Sequence, residues 1–66
     1  METITVSGAY GRDYNSAAAA KADWAAGKDF EILTLGYHRY ISKAEADGAN
    51  LKVMIRYKGQ TKVVAA

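Results

Sequence analysis

The chain has no cysteine and no proline, and only one histidine, one tryptophan and one phenylalanine among its 66 residues. Without cysteine there is no disulfide framework, no CxxC redox pair, no thiol nucleophile and no thiolate zinc site, and one histidine leaves a histidine-based metal cage short of ligands. No apolar run approaches the roughly 18 to 20 residues that span a bilayer, and Met1-Glu2-Thr3 opens no basic segment followed by an apolar one. The expectation is an unprocessed cytoplasmic protein with no metal, cofactor or membrane partner. Packing alone must then hold it together. Half of the residues are hydrophobic, but 13 of these are Ala and 5 are Tyr, which leaves 15 larger apolar side chains. Domains below about 70 residues gain only a few kcal/mol from one core, so a core this thin leans on tight packing or on self-association. A homodimer is one expectation.

What is present reads as alternating strands and helices. Ile4, Val6 and Gly8 alternate with Thr3, Thr5 and Ser7, which predicts a half-buried strand over about 2–8. Two glycines in Gly8-Ala9-Tyr10-Gly11 turn the chain, Asn15 or Ser16 caps an Ala-rich helix over about 16–26, and Gly27 sits where a left-handed residue ends it. Ala17, Ala20 and Trp24 share one face of that helix. Phe30, Ile32 and Thr34 then alternate with Glu31, Leu33 and Leu35 in a second strand, about 29–35, which completes a βαβ-like unit. Residues 37–41 can add a short extended piece. Ser42-Lys43-Ala44-Glu45 has capping-box spacing, but the helix it opens has room for little more than a turn before Asn50. Leu51, Val53, Ile55 and Tyr57 alternate with Lys52, Met54, Arg56 and Lys58 in the clearest strand of the chain, and a turn at 58–60 leads into a last strand over 61–65. The whole chain, 1–66, is therefore expected to be one α+β domain: a four-stranded, largely antiparallel sheet with one main helix on one face, in the order β-α-β-short helix-β-β.

Charge divides the chain. Residues 1–36 carry a net −2 and residues 37–66 a net +4. Lys52, Arg56, Lys58 and Lys62 make the final hairpin basic, and alternation sends the first three away from Val53 and Ile55. That stripe suits phosphates or an acidic protein surface, and it equally suits an edge kept soluble and unpaired. Stacking of bases on the sheet is not supported, because the uncovered set is Thr3, Thr5, Ser7, Lys52, Met54 and Arg56, with Tyr57 on the inner side. Tyr10, Tyr14, Tyr37 and Tyr40 lie in loop-like segments beside Arg12, His38 and Arg39, the residue types that protein-binding hot spots favour. The alternative is that Tyr10, Tyr14 and Tyr40 cover the ends of a small core with their hydroxyls in water. His38 has no serine or aspartate at a telling spacing. The segment Gly8–Arg12 lacks both phosphate-loop patterns. Enzymatic activity has no positive support.

Tyr10-Gly11-Arg12-Asp13-Tyr14, the stretch from Ala22-Asp23-Trp24 to Gly27-Lys28-Asp29-Phe30, and Arg39-Tyr40-Ile41-Ser42-Lys43 together resemble small uncharacterised proteins carried by bacteriophages and prophages. The resemblance covers most of the chain and brings no catalytic or binding residues with it. What it implies is a phage accessory protein made in a bacterial cytoplasm; taken with the Tyr- and Arg-rich loops and the absent catalytic constellation, the expectation is a protein that binds a host or phage protein and inhibits or redirects it, anti-CRISPR inhibition being one version. A small nucleic-acid-binding module using the basic hairpin and a self-associating structural subunit are the alternatives.

Overall fold

A computed structural model describes residues 2–9, 12–34, 39–59 and 61–66. Its elements are β1 (Thr3–Ala9), α1 (Ala17–Ala25), β2 (Phe30–Ile32), β3 (Tyr40–Ile41), α2 (Lys43–Gly48), β4 (Lys52–Tyr57) and β5 (Lys62–Ala65). The five strands form one sheet in the order β3-β2-β1-β4-β5. The α+β class stands, but the sheet has five strands rather than four and is mixed. Its central pair, β1 and β4, is parallel, with Ile4 beside Val53 and Val6 beside Ile55, and the other three pairings are antiparallel.

The parallel pair has a topological cause. β2 returns antiparallel beside β1, and β3 turns back again, so β3 enters α2 running in the direction of β1. Parallel strands need a crossover rather than a tight turn. That crossover is β3-α2-β4, passing over β2 and β1, and not the β1-α1-β2 segment that the sequence pattern suggests.

Capping follows the local chemistry. Ser16, extended at φ −148°, accepts from the Ala19 amide at 3.2 Å and starts α1, and Gly27 ends it at φ +93°. Ser42 accepts from the Glu45 amide at 3.4 Å and starts α2. The Glu45 carboxylate does not complete a reciprocal box among the described residues; it pairs with Arg39 at 3.0 Å. Asn50 closes α2 at φ +59°, a left-handed conformation that Asn tolerates better than most residues.

Alternation along the strands delivers Ile4, Val6, Phe30, Ile32, Ile41, Val53 and Ile55 to one face, all buried. The helices cover that face with small residues, Ala20 and Ala46, both fully buried, which lets them lie close to the strands. Trp24 is the large anchor of α1, edge-on to Phe30 with ring centroids 5.3 Å apart. The irregularity in β1 opposite β2, between Val6 and Ala9, turns both Gly8 and Ala9 inward. At Gly8 the chain passes so close that a Cβ would overlap the Arg12 carbonyl oxygen and press on the Tyr14 ring. Glycine is required there by close approach.

Candidate functional site

Those of the expected contact residues that are described do not assemble into one surface. Tyr10, Tyr37 and His38 lie outside the described residues. Tyr14 belongs to the core: it is 7% exposed, its ring stacks on Phe30 at 5.9 Å, and its hydroxyl donates to Asp23 Oδ2 at 2.6 Å. Burial first, and then this donation, push the Tyr14 pKa above 10.0. Tyr14 is therefore a structural residue and leaves the set of contact candidates. Arg12 is exposed, and its backbone closes the turn by donating to the Ala9 carbonyl at 3.0 Å. Arg39 is held by Glu45 and borders a small hollow of about 190 Å3 floored by Ile4, Ile32 and Leu51. Tyr40 pairs in register with Glu31, so it stands on the uncovered face of the sheet. That corrects the expectation of an open face without an aromatic ring.

The basic stripe also divides. Lys52 and Arg56 share the parity of Thr3, Thr5 and Met54 on the uncovered face. Lys62 pairs with Tyr57 and takes the parity of the opposite face, and Lys58 lies in the turn at φ +55° with its amide donating to the Tyr14 carbonyl. Four cations that look like one stripe in sequence thus point in three directions. Arg56 is half-buried, and its Nε is buried without a hydrogen-bond partner among the described residues. Among those residues no group of His, Asp or Glu comes together to hold a metal ion, and no helix is long and apolar enough to cross a membrane.

Sequence reading missed a recess between the two helices. It encloses about 410 Å3, within the range of ligand sites, and its wall and floor are Trp24, Leu51 and Val53. Lys21 from α1 and Lys43 from α2 stand around it, and Lys52, the first residue of β4 and of outer parity, borders it at the end of the strand, with Asp47 the acidic residue among its lining. Asp47 is occupied by Lys43 at 2.7 Å. Lys21 and Lys52 have no ion pair among the described residues. The recess is therefore apolar inside and cationic at its margin. No family model, curated protein or solved structure matches this chain. The lysines stand 22 and 9 residues apart in sequence, so only the packing of α1 and α2 on β4 reveals them as a group.

Proposed function

We propose that the chain is a non-enzymatic accessory protein of the phage type, one that works by occupying another protein and inhibiting or redirecting it. The contact we assign is the recess between α1 and α2, and the partner segment it takes is acidic with an apolar side chain at its centre. One observation carries this reading: lysines from three separate elements surround an apolar hollow, and two of them are unpaired among the described residues. A partner's apolar side chain fills the hollow against Trp24 and Leu51, and its carboxylates meet Lys21 and Lys52. Apolar burial supplies affinity, while the cations steer the encounter and set its salt dependence. The nucleic-acid reading is weaker, because phosphate tracking needs cations along one surface and those of the hairpin diverge.

The test is affinity capture from bacterial lysate with and without nuclease, using the wild type and the K21E/K52E variant. The expected result is one dominant protein that survives nuclease and is lost with the variant. Both lysines are exposed, so circular dichroism of the variant should match the wild type. A protein retained equally by the folded variant overturns the assignment of the recess. Material that disappears with nuclease moves the reading to nucleic acid.

A further inference from the structure

The uncovered face of the sheet carries a pattern that the recess does not use. One row crosses it in strand order: Tyr40, Glu31, Ser7, Arg56, Val63. Its register is fixed by the Glu31–Tyr40 and Arg56–Val63 pairs, by Ser7 Oγ donating to Glu31 Oε1 at 3.4 Å, and by continuing the parallel ladder one residue past Val6–Ile55. From the central strand outward the row is acid then apolar on one side, and base then apolar on the other. Tyr40 and Val63, at its two ends, are 43% and 51% exposed. The adjacent row repeats the arrangement with apolar groups. Thr5 lies on β1 with Met54 beside it on β4, and Leu33 donates its amide to the Thr5 carbonyl on the other side. Leu33 and Met54 are both half-buried.

We infer that this face is the interface between two copies of the chain, related by a two-fold axis that runs along β1. A rotation about that axis exchanges the two sides of the sheet. Glu31 then faces Arg56 of the second copy, Tyr40 faces Val63, Leu33 faces Met54, and Ser7 and Thr5 lie on the axis. Strand spacing of about 4.8 Å puts Glu31 and Arg56 at equal distances from β1, which is the condition for the match. A two-fold axis across the strands would instead set Arg56 against Arg56 and Glu31 against Glu31, so the charges select one symmetry. The chosen arrangement keeps the strands of the two sheets nearly aligned, as face-to-face sheets pack. It also brings a carboxylate to the side chain of Arg56, which is half-buried in the single chain.

Sedimentation equilibrium over two decades of protein concentration tests this without reading partner binding, so its outcome is separate from that of the recess. The wild type should approach twice 7.1 kDa. E31K and R56E each place like charges opposite one another and should each raise the dimer dissociation constant by at least about tenfold. Mixed in equal amounts, the two variants restore both opposite-charge contacts, and a dimer should return. Circular dichroism of each variant alone, matching the wild type, shows that loss of the dimer is not loss of the fold. A wild type that stays monomeric throughout overturns the interface, as does an oligomer that E31K and R56E leave unchanged. A mixture that stays monomeric while the wild type dimerises overturns the pairing of Glu31 with Arg56.

Discussion

At the scale of single residues, Tyr14 shows how a side chain that looks like a surface contact becomes part of the core. Nothing in Asp13-Tyr14-Asn15 marks burial, because the signal lies in Gly8, six residues earlier, where the absent side chain lets the returning chain and the Tyr14 ring close over β1. The hydroxyl then needs a partner, and Asp23 of α1 supplies it at 2.6 Å. Tyr14→Phe should cost about 1–2 kcal/mol at neutral pH, measured by urea unfolding, since a bond to a carboxylate is lost from a buried site. Its pH dependence has a defined sign. The folded state holds the proton above pH 10.0 while the unfolded chain releases it near that value, so this stabilisation is complete below about pH 10 and is lost as pH rises through the folded-state pKa. The difference between wild type and Tyr14→Phe should therefore shrink above about pH 10. The remaining tyrosines are common to both proteins, so a constant difference across that range would remove the coupling between Tyr14 ionisation and stability.

At the scale of elements, much was legible because caps and alternation are local. Ser16, Gly27 and Ser42 stand where their chemistry places them, and Thr3, Thr5, Lys52, Met54 and Arg56 share the uncovered parity. What a period of two cannot encode is direction or order. Phe30–Ile32 has the same pattern whether it runs with β1 or against it, so the parallel β1–β4 pair and the crossover through α2 were hidden. β3 is only two residues long, too short for a period to show. Helix ends offer a check in which one substitution has opposite signs at two sites. Neither Gly27 nor Gly48 has a heavy atom within 4 Å of the position a Cβ would take, so sterics with neighbours are equal. Gly27 stands at φ +93°, and Gly27→Ala should cost about 1–2 kcal/mol. Gly48 lies inside α2 without a positive φ, and Gly48→Ala should raise stability by about 0.5 kcal/mol through helix propensity. Thermal melts of the two variants measure both, and the same sign in each would mean that the helix ends are not as described.

At the scale of the whole molecule, the thin core and the uncovered face belong to one argument. Two short helices supply Ala20, Trp24 and Ala46 as their buried side chains, and among the described residues neither helix covers the other side of the sheet. A domain of this size gains stability when a second copy provides a layer there. The site was illegible in the sequence for the same reason. Glu31 and Arg56 are 25 positions apart, and only the strand order sets them on equal and opposite sides of β1; the basic hairpin looks continuous in sequence because alternation alone does not give the β4–β5 register. Dimerisation coupled to folding has a thermodynamic signature that does not depend on measuring mass. Because unfolding of a dimer releases two chains, its melting temperature rises with concentration. Each tenfold increase contributes about 0.7 kcal/mol per chain, which for a domain of this length is about 3–5 °C in Tm. The wild type should show that slope, and E31K should melt at a temperature independent of concentration and below that of the wild type at high concentration. A wild-type Tm unchanged across two decades would mean that the core of a single copy, with its uncovered face in water, already holds the fold.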